Sequence, residues 1–163
     1  VLNTDAEGRL ILADALHYAK RYKPELVIDI ATLTGAASRS VGKYGLVAME
    51  NYQKMIFTDF SNNMKRLLFS GNIVGERVAV QPFWDDYKDE LQSSVADLKN
   101  LGGPESGHIT AGKFLEHFVD YPWIHLDIAG PTFVKTKYGY RGKGATGIGV
   151  RLLYHFLKKE TAK

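Results

Sequence analysis

Two carboxylates and a guanidinium stand within five residues of one another near the start of the chain: Asp5, Glu7 and Arg9, inside Asn3-Thr4-Asp5-Ala6-Glu7-Gly8-Arg9-Leu10. In an extended segment, side chains at i and i+2 point to one side roughly 6.6 Å apart, so Asp5 and Glu7 would face a common point. Carboxylate oxygens suit divalent cations; they bind zinc at about 2.0–2.2 Å, and a Glu can bridge two ions about 3.5–4 Å apart. Arg9 keeps its proton and donates in a planar fork, so beside such cations it would hold an anion or a developing oxyanion. The same residues also spell something plainer. Thr4-x-x-Glu7 fits a capping box, in which a hydroxyl and a carboxylate satisfy each other's backbone donors at a helix start. A cap makes no demand on Asp5 or Arg9, yet on spacing alone the cap is the commoner outcome.

Other chemistries find less support. The five histidines form no H-E-x-x-H pair, and no G-x-S-x-G elbow is present, which excludes a zincin-type site and a nucleophilic serine of that kind. Gly142-Lys143-Gly144-Ala145-Thr146-Gly147 matches G-x-G-x-x-G, but no strand directly precedes it and the chain ends before an acidic residue about 20 positions on. A tight glycine turn seating the last helix explains it better, and without Ser or Thr after Lys143 it is no Walker loop. His125-x-Asp127 on a strand would share one side, and Asp29 interrupts an apolar strand. Satisfied or paired residues are the expected reading for all three, because buried charges are usually paired.

At 163 residues with 45% hydrophobic content, the chain is long enough for one domain with a real core, spanning 1–163. With no cysteine, disulfides and thiolate metal sites are excluded, in keeping with a reducing cytoplasm. The net charge of +3 could attract polyanions, but Lys20, Arg21, Lys23, Lys158, Lys159 and Lys163 sit near expected helix ends, where cations complement the helix dipole. Only Lys135, Lys137, Arg141 and Lys143, interleaved with two tyrosines, form a patch worth testing for polyanion binding. No apolar run approaches the ~20 residues of a membrane span, so a soluble protein is expected.

Elements able to position these residues follow from periodicity. Helices are expected over Leu10–Tyr22, closed by Pro24, over Asn51–Phe69, stopping near Gly71, over Pro82–Leu91 and over His108–Val119. A last helix over Ile148–Lys159 should turn Val150, Leu153, Phe156 and Leu157 inward. Strands are expected over Leu26–Ala31, fully buried apart from Asp29, and over Gly45–Met49, Ser93–Leu98 and Trp123–Ile128, the last of these being the final strand. Such alternation argues for an α/β fold, a layered α/β/α sandwich around a mixed sheet. Ligands in such sheets bind where loops leave the carboxyl ends of strands, which picks out the loops Thr32-to-Ala36 and Ala129-to-Thr132.

The octet at 3–10 resembles the signature of the leucyl aminopeptidase (cytosol aminopeptidase) family, two-metal exopeptidases. Ala31-Thr32-Leu33-Thr34-Gly35-Ala36, Ala96-Asp97-Leu98-Lys99-Asn100 and His125-Leu126-Asp127-Ile128-Ala129-Gly130 are similar to the same family in the same order, so the resemblance covers essentially the whole chain. It implies that Asp5 and Glu7 are metal ligands, with Glu7 bridging two divalent ions, zinc or manganese. Arg9 would be the catalytic arginine, working with bicarbonate in some members. Thr32, Gly35 and Ala129 would line the pocket for the first side chain of the peptide, with Leu33 giving backbone contacts; Thr132 stands where some relatives carry a larger apolar residue.

The family also places a lysine and two aspartate ligands, and a second catalytic lysine, before the signature, where this chain has only Val1 and Leu2. The chain is therefore expected to be the later part of a catalytic domain. The parent is expected to be a cytoplasmic homo-hexamer that releases N-terminal, preferably hydrophobic, residues from peptides, and the isolated fragment to be inactive. Neither a membrane nor a nucleic-acid partner is expected. The rival reading is a non-catalytic module that keeps the fold for assembly or polyanion binding.

Overall fold

In the computed structural model, which describes residues 1–52 and 60–158, four strands form one mixed sheet. They are Val27–Ala31 (β1), Leu46–Glu50 (β2), Val78–Val80 (β3) and Trp123–Asp127 (β4), in the order β1-β4-β2-β3. β1 runs parallel to β4 and sets Asp29 opposite His125 and Ala31 opposite Asp127. β2 lies antiparallel to β4 and parallel to β3.

Alternation along these strands divides the apolar residues between two faces. On one face Leu46, Ala48, Ile124 and Leu126 pack against Met64 and Leu67 of Asn62–Val74 (α3) and against Leu152 and Phe156 of Val150–Lys158 (α5). On the other, Trp123 packs with Ala13 and Leu16 of Gly8–Ala19 (α1) and Phe114 and Leu115 of Gly107–Glu116 (α4). Val47 and Met49 there meet Ala37 of Gly35–Val41 (α2) and Ile109. Helices on both faces of a mixed sheet give the expected α/β/α layering.

Tertiary context moves several boundaries. α1 tightens into a 3-10 turn over Lys20–Tyr22 and stops at Lys23, whose left-handed φ of 46° precedes Pro24. α3 continues through Gly71 to Val74, and Gly75, at φ +69°, ends it. Gly71 is needed for contact rather than for termination: a Cβ there would lie 2.5 Å from the Glu76 carbonyl oxygen. Part of the helix expected over Asn51–Phe69 falls on 53–59, outside the described residues.

Five expectations are corrected. The acidic helix over Pro82–Leu91 is a 3-10 turn over Asp85–Leu91, and Ser93–Leu98 is irregular, with Val95 exposed and no partner strand. β1 is half-buried, because it is the edge of this sheet, and Ile30 reaches solvent. Trp123–Asp127 is followed by a short hairpin of Phe133–Val134 (β5) and Gly144–Ala145 (β6). On α5 the buried pair is Leu152 and Phe156, while Val150 and Leu157 are exposed. β3 and α2 had no expectation at all, being too short to show a period.

Candidate active site

The acidic segment is neither extended nor a capping box. Thr4–Ala6 form a 3-10 turn, so the i, i+2 alternation invoked for Asp5 and Glu7 does not apply there. Asn3 accepts the Asp5 N–H on its side-chain oxygen at 2.8 Å. Glu7 sits at the helix boundary in helical geometry, with its carbonyl accepting from Leu10 and Ile11, and its side chain caps nothing. The Asp5 and Glu7 carboxylates are exposed at the positive end of α1, and neither has a hydrogen-bond or ion-pair partner among the described residues. No partner within the described residues takes up their oxygens.

Arg9 is the opposite case. It is 5% exposed, and its Nε and Nη1 meet no acceptor. Burial pulls the guanidinium below its ordinary value, and the Asp127 carboxylate opposes that shift. A buried guanidinium with idle N–H groups bears a desolvation cost that an anion would remove.

Asp127, at the carboxyl end of β4 and 1% exposed, ties the two strand-end loops together. Its Oδ1 accepts from the N–H groups of Leu33 at 3.2 Å and Ala129 at 3.1 Å, and its Oδ2 accepts from Thr34 Oγ1 at 2.7 Å. Thr34 Oγ1 in turn accepts the Ala37 N–H and caps α2, which Gly35 begins. The Thr132 hydroxyl donates to the Ile128 carbonyl, so the 3.3 Å contact between the Thr32 and Thr132 hydroxyls has Thr32 as donor. Gly130 permits the closest approach in this loop, since a Cβ there would lie 2.0 Å from the Gly42 carbonyl oxygen.

Thr32, Leu33, Gly35 and Ala129 are therefore held in one place. The acidic segment adjoins them: a Cβ on Gly8 would sit 3.4 Å from Leu33 Cδ1. Two exposed carboxylates, a buried arginine and two strand-end loops meet at the carboxyl ends of β1 and β4.

Comparison with known proteins identifies the family. The model of the cytosol aminopeptidase family, catalytic domain, matches residues 1–154. The chain belongs to the cytosol aminopeptidase family. A probable cytosol aminopeptidase of Geotalea uraniireducens is 47% identical over 159 residues, covering 97% of this chain and 30% of the relative. One from Roseiflexus castenholzii is 46% identical over 163 residues, covering 99% and 32%. Among solved structures, a mutant of tomato leucine aminopeptidase superposes with a TM-score of 0.86 at 37% identity, over 98% of this chain and 29% of that one. The bottromycin maturation enzyme BotP gives 0.88 at 32% identity, over 98% and 34%. The chain thus spans about a third of the length of these cytosol aminopeptidase relatives.

The sequence reading missed the organisers of this aminopeptidase fold. Asp127 and Thr34 lie inside motifs already noted, but nothing in their spacing reveals three converging donors. His108, near the start of α4, donates through Nε2 to Gln81 Oε1 at 3.1 Å and leaves Nδ1 buried without a partner. Burial lowers its pKa, and Arg39 adds to that while Asp127 opposes it. Asp29 is paired, as expected for a carboxylate in a strand, accepting from Trp123 Nε1 and His125 Nδ1 at 2.6 Å each. His125 Nε2 remains buried without a partner. The Gly142–Gly147 stretch leads through a turn into the last helix. The first donors of the helix it precedes, the N–H groups of Gly149 and Leu152, are taken by Glu76 at 3.0 and 3.1 Å.

Proposed function

We propose that the full-length protein is a metal-dependent aminopeptidase that removes N-terminal residues from peptides through a site holding two divalent cations, zinc or manganese. The observation that carries this is the pairing of two exposed, unpartnered carboxylates, Asp5 and Glu7, with a buried arginine whose Nε and Nη1 lack acceptors. Structural ion pairs would be closed within the chain, whereas these groups stand open.

The donor set fits the metal in part. Two carboxylates supply hard oxygen ligands, and the described residues contain no group of three or more His, Asp or Glu that could complete a cage. Bound cations would polarise a peptide carbonyl and acidify water. Asp5 and Glu7 would hold them, with Glu7 contributing to both. Arg9 would offer its idle N–H groups to bicarbonate or to a developing oxyanion. The loops fastened by Asp127 present Thr32, Gly35 and Ala129 to the first side chain, with Leu33 binding through its backbone.

Glu7→Ala in the full-length protein should abolish metal binding and leucyl-peptide hydrolysis together. Arg9→Ala should slow turnover about 100- to 1,000-fold while metal content, read by elemental analysis, stays near wild type. Normal turnover in Glu7→Ala would remove the bridging role.

The polyanion-binding alternative gains little. Tyr138, one of the tyrosines between the basic residues, lies edge-on to Tyr44 and beneath Lys43, and Tyr140 lies beneath Arg151 and Arg141. Both rings are engaged within the chain instead of forming a stacking platform for bases.

A further inference from the structure

Residues 2 to 6 precede the first helix and contain one 3-10 turn of three residues, too short to hold its own shape. Val1 and Leu2 are exposed, so no apolar anchor secures them. Ala6 is buried, and among the described residues the side-chain hydrogen bonds that reach the segment from elsewhere come from a single amide. Asn100, 3% exposed, lies in the irregular stretch that separates the 3-10 turn over Asp85–Leu91 from α4. Its Oδ1 accepts the Leu2 N–H at 2.8 Å. Its Nδ2 donates to the Asn3 carbonyl at 2.9 Å and to the Ala6 carbonyl at 3.4 Å.

The two carbonyls it holds bracket Asp5, and the second belongs to the residue just before Glu7. Among the described residues no other side chain outside 2–6 hydrogen-bonds this segment. Only a primary amide does this job: it needs an acceptor on one atom and two donors on the other, and a carboxylate would set oxygen against both carbonyls.

We propose that Asn100 is a positioning residue that sets the Asp5 and Glu7 carboxylates for a divalent cation. The proposal rests on the metal reading above. Groups that orient ligands affect metal affinity about 10- to 100-fold, even though they never touch the ion.

The test uses full-length protein stripped of metal and titrated calorimetrically with Mn²⁺ alone, well below the melting temperature. Asn100→Asp should weaken Mn²⁺ binding roughly 10- to 100-fold. The direction is diagnostic, because an added negative charge near a cation would by itself tighten binding. Leu152→Ala, in the core on the far face of the sheet, serves as the stability control; it should lower the melting temperature and leave Mn²⁺ affinity as in wild type. Should Asn100→Asp not fold, Asn100→Ser supplies the same comparison, with one hydroxyl in place of two amide donors.

Wild-type affinity in the Asn100 variant, or an equal loss in Leu152→Ala, overturns the positioning role. Glu7→Ala separates the two levels. If it binds Mn²⁺ like wild type, the metal reading fails and takes the inference with it. If it loses Mn²⁺ while Asn100→Asp keeps it, only the inference fails.

Discussion

Asp127 concentrates more of the site's geometry than any other single residue. One buried carboxylate accepts from Leu33, Thr34 and Ala129 and opposes the depression of the Arg9 pKa. Hydrogen bonds to a charged group contribute about 1.5–3 kcal/mol each, and a buried donor left unpaired costs about 1–3 kcal/mol. Asp127→Asn keeps the shape but removes the charge and one acceptor. It should cost about 1.5–3 kcal/mol in urea denaturation and raise KM for a leucyl substrate, because the loops bearing Leu33 and Ala129 lose their tie. Unchanged stability and KM would show that the loops hold themselves. At this scale the types Asp5, Glu7 and Arg9 were readable as chemistry from the sequence. Asp127 and Asn100 were not, because most of their partners lie more than 90 residues away.

Among the elements, α5 shows how periodicity can be right about a helix and wrong about its rotation. The spacing predicts Val150, Leu153, Phe156 and Leu157 as the inner face; the structure keeps Phe156 there, buries Leu152 beside it and leaves Val150 and Leu157 exposed. Glu76 is the reason. Buried at 2% exposure, it accepts from the N–H groups of Gly149 and Leu152 and from Arg151 Nε at 3.1 Å, which fixes the helix start against the loop after α3. A carboxylate there both caps the helix and complements its dipole. Glu76→Ala should cost about 1–3 kcal/mol by urea denaturation, with the first-turn amides of α5 exchanging faster in hydrogen-exchange mass spectrometry. Protection unchanged at those amides would assign the helix start to packing alone. The strand expected over Ser93–Leu98 failed for a related reason, since a short apolar run becomes a strand only where a neighbour can pair with it.

For the molecule as a whole, the sheet ends on β1, whose outer edge has no partner among the described residues. The open carboxylates at its carboxyl end are likewise two ligands without the rest of a cage. Dehydrating carboxylates around a cation is costly unless enough ligands share it. Residues 1–163 in isolation should therefore fail to hydrolyse leucine p-nitroanilide and should bind Mn²⁺ far more weakly than the full-length protein. Steady-state assays and titration of both forms check this, and robust hydrolysis by residues 1–163 would refute it. No helix among the described residues is long and apolar enough to cross a membrane.

The sequence by itself determined the family, the α/β/α layering and the identity of the charged groups, because motifs, hydrophobic periods and residue chemistry are local properties. The tertiary structure decided what those groups are free to do. It left Asp5 and Glu7 open where a capping box was the commoner expectation, buried Arg9 without acceptors for its Nε and Nη1, and recruited Asn100 and Asp127 from distant segments. Such decisions depend on which surfaces are excluded from water and which donors find acceptors across the fold, and no spacing along a single segment records that.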